Sequence, residues 1–263
     1  MPETAPATLA GLLRRDRGLC IVLVAAICLL AWAYTLAGGG VMPRDGMMPG
    51  HGGEAAPVSP DWSLGHGLAM IVMWWVMMVA MMLPSATPVI LLAAALNRRA
   101  SGTAPFPATA IFVAGYLLVW LGFSLAATVA QFLLSRAGLL TAGMASASDG
   151  LSGPLLLAAG IWQLSPAKAA CLRHCRSPVD WLIRHRGQGW RGALTVGLGH
   201  GGYCLGCCWA LMLLLFVGGV MSPLWIAGLA LLVLLEKLAP GGAAWRRITG
   251  ALLLISGGLV LLP

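Results

Sequence analysis

Apolar residues in this chain do not alternate with polar ones; they run in long blocks separated by short polar, glycine- or proline-rich breaks. A helix needs about 20 mostly apolar residues to cross a lipid hydrocarbon core, where no water satisfies exposed backbone groups. Seven blocks are candidates, at about 18–37, 64–96, 106–132, 147–165, 192–219, 223–239 and 245–262. The second is too long for one straight span, and Pro84 and Pro88 are expected to break or kink it, leaving an extension that ends at Asn97. The fourth is the weakest, short and interrupted by Gly153, Pro154 and Gly160. The first reads as a retained helix rather than a cleaved signal peptide, because its apolar run is long and AYTLAGGG matches a cleavage site only loosely. The expected fold is an all-α polytopic membrane bundle of about seven helices. Residues 1–63 form a first helix plus an outer loop, and 64–263 form the main bundle.

Composition agrees with the pattern. Of 263 residues, 59% are apolar and 9% charged, and the mean hydropathy is +0.89. Soluble domains carry roughly a quarter charged residues, so a soluble enzyme, a disordered chain and a secreted disulfide scaffold are all excluded. The net charge of +8 by itself suggests a nucleic-acid partner, but its distribution says otherwise. With the N-terminus inside, 14 of the 16 basic residues fall on the cytoplasmic side, and only Arg44 and Arg136 fall outside. That is the positive-inside pattern of a membrane protein. The charge reports orientation, with the C-terminus outside, and the nucleic-acid reading falls away.

Sulfur is the second departure, with seven cysteines and thirteen methionines. The fifth block reads GHGGYCLGCCWALM from Gly199 to Met212. Residues three and four apart share a helix face, so His200, Cys204, Cys208 and Met212 form one stripe with Cys207 beside it. Counted from Arg191, the thiols lie near mid-membrane. Imidazole, thiolate and thioether together suit Cu(I), whereas zinc gains little from methionine and prefers four strong ligands. Cysteine also packs as a small hydrophobe, and glycine-rich helices associate. Three cysteines within five residues, one turn after a histidine, shift the balance to metal or redox chemistry. A disulfide from Cys204 to Cys207 or Cys208 is the chemical competitor.

The second block adds Met70, Met73, Met77 and Met81 at helical spacing, with Met78 and Met82 widening the face. Methionine is adaptable core filler; beside a cysteine-rich helix it also reads as a second wall of a soft-metal site, with Met73, Met77 and Met81 auxiliary. The outer loop offers Met42, Met47, Met48 and His51, a collecting segment or a plain linker, and His66 stands at the mouth of the second block as a next station. In the inner loop at 166–191, Cys171, His174 and Cys175 lie among arginines that favour thiolate, and the cytosol keeps such thiols reduced. They form a transient metal station or merely a basic interfacial loop. Glu236 sits within an apolar block, and a membrane carboxylate needs a partner. Lys237 is adjacent and points elsewhere, so Lys168 or His200 is the expected one, against the alternative that Glu236 and Lys237 snorkel together at the interface. Gln163 is expected to bond between helices.

No phosphate-binding loop, ATPase domain or Ser/His/Asp arrangement is present in the sequence, and no enzymatic activity is expected. The segments MWWVMMVAMMLPSATP (73–88), WQLSPAKAACLRHCRSP (162–178), GHGGYCLGCCWALM, GGVMSPLW and LLEKLAP (within 199–240) resemble a bacterial family of predicted metal-binding integral membrane proteins, long catalogued as a domain of unknown function. Members of that family are described as membrane copper chaperones, one associated with a polyphenol oxidase. The resemblance implies copper; the spacing alone implies soft-metal ligands. Taken together, the expectation is an inner-membrane protein of a bacterium that binds Cu(I) through Cys204, Cys207, Cys208 and His200, with Met73, Met77, Met81 and Met212 auxiliary. It would pass the ion to a cuproenzyme or a periplasmic copper carrier. A thiol–disulfide redox protein and a non-catalytic packing subunit of a larger membrane complex are the alternatives.

Overall fold

The apolar blocks fold as helices. A computed structural model describes residues 4–39, 62–101, 105–141, 143–185 and 189–262. Met42, Met47, Met48 and His51 lie outside the described residues. The helices are α1 (Thr4–Leu36), α2 (Leu64–Ser101), α3 (Phe106–Arg136), α4 (Asp149–Leu164), α5 (Pro166–Arg176), α6 (Val179–Arg184), α7 (Gly189–Leu213), α8 (Leu215–Gly218), α9 (Pro223–Leu238) and α10 (Gly242–Val260). Apart from one bridge between Leu140 and Ser146, no strand pairing occurs among the described residues. Four helices (α1, α2, α3 and α7, the last continued by α8) are long and apolar enough to cross a membrane, and α4 with α5 makes a fifth candidate bent by 63°.

Two expectations change. Pro84 and Pro88 do not break the second block, because α2 runs as one helix through both. Each proline removes one backbone donor; the turn before the first is tightly packed, with Met81, Met82 and Leu83 at most 1% exposed, while Pro88 lies on the exposed side of the helix. The inner segment 166–191 is not a loop, since it contains α5 and α6. Pro166 sits in the first turn of α5, and the Ser165 hydroxyl accepts from the Lys168 amide at 3.1 Å, a side-chain cap. Arg173, His174 and Arg176 then complement the carbonyl end of that helix.

The largest packing faces are α3 on α7, α4 on α10 and α1 on α2. On the first, Gly197 is required: a Cβ there would stand 2.1 Å from the Phe112 carbonyl oxygen. Small residues thus bring two backbones together, as expected where lipid supplies no hydrophobic drive between helices. On the third, Asp16 takes a bidentate grip on Arg98, at 2.5 and 2.7 Å, with both side chains buried. The outward face of α1 carries Leu29 and Leu30, 71% and 72% exposed, an apolar surface suited to lipid. The methionine-rich half of α2 and the cysteine-rich half of α7 lie in the common core.

Candidate metal centre

Along α7, Cys204, Cys207 and Cys208 are each 1% exposed. The helix continues unbroken through its glycines, so the three thiols spread over adjoining angles and reach three different neighbours. Cys204 Sγ lies 3.1 Å from Tyr116 Oη on α3 and accepts from Lys237 Nζ on α9 at 3.0 Å. Cys207 Sγ lies 3.9 Å from Cys175 Sγ on α5. Cys208 Sγ faces Met82 Sδ on α2 at 3.7 Å. Cys207 and Cys208 also donate to the Cys204 carbonyl, at 3.1 and 2.9 Å.

His200, one turn before Cys204, is buried and stacks on Phe112 and Tyr116, with ring centroids 6.0 and 5.7 Å away. Tyr116 also donates to the Met82 carbonyl at 3.2 Å. Its hydroxyl therefore ties the second, third and seventh helices at one point. Met73, Met77, Met81 and Met212 are all buried in the same core, and among the described residues the thioether that accepts from a thiol is that of Met82. On α5, Cys171 is brought to α7 by Gly206, where an added Cβ would stand 2.9 Å from its sulfur. His174 turns the other way. It stacks flat on Tyr203 at 4.0 Å, its Nδ1 lies 3.1 Å from the Ala170 carbonyl, and it lines an open cavity with Arg173, Asp180 and His185.

Glu236 and Lys237 are both buried, which overturns the expectation of a snorkelling interfacial pair. They leave α9 at different angles and meet different neighbours. Glu236 pairs with Lys168 at 2.7 Å, so Lys168 and not His200 is its partner. Gln163 joins them, donating to Glu236 and accepting from Lys168, and donates to Thr249 at 2.6 Å. Arg176 closes the same end by donating to the Glu236 and Ala239 carbonyls at 2.7 and 2.8 Å. Lys237 instead enters the thiol cluster, donating to Ser85 Oγ at 3.1 Å as well as to Cys204.

Sequence reasoning singled out the thiols, offered Lys168 as one of two partners for Glu236 and placed Met82 on the methionine-rich wall without naming it a ligand. It missed Lys237, Ser85 and Tyr116 as neighbours of the sulfur atoms. For Lys237 a signal existed: a lysine within helical reach of the membrane interior carries the same default expectation as Glu236. For Tyr116 no comparable signal is visible, because one tyrosine in an apolar helix is ordinary.

Among the described residues, no three of His, Cys, Asp and Glu converge as a chelating group. A tetrahedral site of four strong ligands, as structural zinc requires, has no counterpart here. What is present is a close pair of sulfurs, Cys175 and Cys207, flanked by Cys204, Cys208 and the Met82 thioether, with a buried ammonium beside them. Such a set fits a soft monovalent ion of low coordination number.

The comparisons agree with this chemistry. A family described as PpoB2, copper chaperone, matches residues 71–260, a stretch that includes all five of these sulfur residues and Lys237. No curated protein and no solved structure matches the chain. A match over most of the length, through each of the elements that build the sulfur cluster, places this chain in the PpoB2 copper chaperone family.

Proposed function

We propose that the protein is a non-catalytic, multi-pass protein of the bacterial inner membrane that binds Cu(I) within the bilayer and delivers it to a cuproenzyme or periplasmic copper carrier. In this reading seven segments cross the membrane, α9 and α10 completing the bundle, with the N-terminus inside, as the basic residues indicate. Cys204, Cys207 and Cys208 are the principal ligands, with Cys175 the inner partner of Cys207 and His200 a reserve donor one turn away. Met82 is the nearest thioether; Met73, Met77, Met81 and Met212 extend the sulfur lining. Cys171 and His174 make an inner station, and Met47, Met48 and His51 an outer collecting segment. Transfer proceeds by exchange of one sulfur for the next, which keeps the ion out of water.

The observation that carries the reading is the buried ammonium of Lys237 at 3.0 Å from Cys204 Sγ, with Ser85 as its other hydrogen-bond partner. A buried charge needs a compensating one, and among the described residues no carboxylate pairs with it. A thiolate does, and so does a Cu(I) ion held by two thiolates, which bears one negative charge overall. The cluster is thus charge-balanced when the soft ion is bound.

The thiol–disulfide reading is carried by a different observation, the 3.9 Å approach of Cys175 and Cys207. Metal analysis of protein purified without oxygen separates the two. Stoichiometric copper that disappears in the C204S/C208S variant supports the copper reading. A metal-free protein that yields mixed disulfides with a partner overturns it in favour of redox exchange, and a protein with neither is a packing subunit.

A further inference from the structure

Near the N-terminal end of α2, about three turns before the residue that meets the thiols, a second sulfur cluster is assembled from residues far apart in sequence. Gln131 on α3 donates its amide to Met70 Sδ at 3.3 Å and to Met144 Sδ at 3.1 Å. The amide orientation is not arbitrary. Trp74 Nε1, which can only donate, reaches Gln131 Oε1 at 2.7 Å, so the NH₂ group must face the two thioethers. The sulfurs are therefore no farther apart than those two contacts laid end to end. Met144 is held with φ of 58°, the only non-glycine residue at positive φ among the described residues. Left-handed backbone is unfavourable for an ordinary side chain and persists where the surroundings require it.

One turn before Met70 on the same face of α2 stands His66. Its Nε2 is buried and has no hydrogen-bond partner, and neither has Nε1 of Trp62, whose ring meets the His66 ring edge-on at 5.1 Å. A buried imidazole nitrogen without a partner forfeits a hydrogen bond, unless a ligand takes its lone pair. Met73 continues the face, and it shares the space beside Gly39 with Met221.

We propose that Met70, Met144 and His66 form a second Cu(I) site at the outer end of the bundle, with Gln131 positioning the two thioethers until the ion displaces its weak N–H···S contacts. The proposal rests on the copper reading above and assigns it a distinct loading or release point. The ligand chemistry suits that side. Thioethers are neutral, so they bind without losing a proton, and they form no disulfides, whereas thiols facing an oxidising compartment do. From Met70 to Met82 the helix rises about 18 Å at about 1.5 Å per residue. Met73, Met77 and Met81 fill that interval on buried faces, and Met82 meets Cys208.

The test uses full-length protein in detergent, loaded with Cu(I) without oxygen against a competing chelator. Wild type should hold one equivalent at the thiols and one at the outer site. M70L/M144L should lose one equivalent, and C204S/C207S/C208S should retain one, bound by thioether and imidazole in X-ray absorption. Leucine matches methionine closely in volume. Should the double variant fail to fold, M70L and M144L singly should each weaken the outer equivalent at least tenfold. Unchanged stoichiometry in M70L/M144L, or unchanged affinity in both single variants, overturns the outer site. Undiminished copper in the triple cysteine variant would instead overturn the thiol reading and leave the outer site standing.

Discussion

Two buried polar clusters lie side by side across α9, and they solve the cost of burial differently. On one side Glu236 meets Lys168, and Gln163 and Thr249 complete a network that links α4, α5, α9 and α10. Charge is balanced within the protein, every polar group there has a partner, and the cluster functions as a clasp. On the other side Lys237, adjacent in sequence to Glu236, brings a positive charge to sulfur atoms and a serine, with no carboxylate paired to it among the described residues. That cluster is balanced only when a thiolate or an anionic metal complex completes it. The comparison separates a structural charge from a functional one by asking where the opposite charge comes from.

Breaking the clasp should have the largest effect on stability. Glu236→Leu strands Lys168 in the core, and losing one partner of a buried pair costs about 3–5 kcal/mol. Thermal unfolding in detergent should register a pronounced drop in Tm, and K168M/E236L should recover most of it, because removing both charges is close to neutral. A double variant as unstable as the single one would show that the ion pair is not what Glu236 provides.

The corresponding change in the sulfur cluster should act on binding instead. Lys237→Met removes the counter-charge, so Cu(I) affinity should fall at least tenfold, or about 1.4 kcal/mol, while Tm stays level or rises. A Tm loss as great as that of Glu236→Leu, with copper affinity unchanged, would make Lys237 a second clasp. The smallest effect is expected from Met82→Leu. It replaces the thioether facing Cys208 at little packing cost, and Cu(I) affinity should drop about two- to fivefold, within the roughly 1 kcal/mol that one weak sulfur contact provides. A competition titration resolves that change, and an affinity equal to wild type would remove Met82 from the lining.

Local pattern made much of this legible. Apolar block length set most helix ends to within a few residues, as in α9, expected at 223–239 and observed at Pro223–Leu238. It did not set the start of α1, which begins at Thr4, well before its apolar run. Helical period placed His200 one turn before Cys204, and the cost of a membrane carboxylate required a partner for Glu236. The limits were equally physical. The same period that put Cys204 and Cys208 on one stripe could not say which helices face them, and Cys207 proved to meet Cys175, 32 residues earlier. Pro84 and Pro88 carry a local preference for a break, and the helix runs through both, with Met81, Met82 and Leu83 packed tightly before the first.

Sequence alone determined that the chain is helical, that several of its helices are apolar enough to cross a membrane, and that His200, Cys204 and Cys208 share one helix. These are properties of composition and of a single helix's period, and each can be evaluated without knowing any neighbour. Tertiary structure decided which sulfurs meet, which of two adjacent charged residues is a clasp and which faces thiols, and that Met70 and Met144 converge on Gln131. Those outcomes depend on the rotation and separation of packed helices. Small-residue contacts such as Gly197 against Phe112 and Gly206 against Cys171 set them, and no spacing along one chain encodes the angle at which another helix arrives.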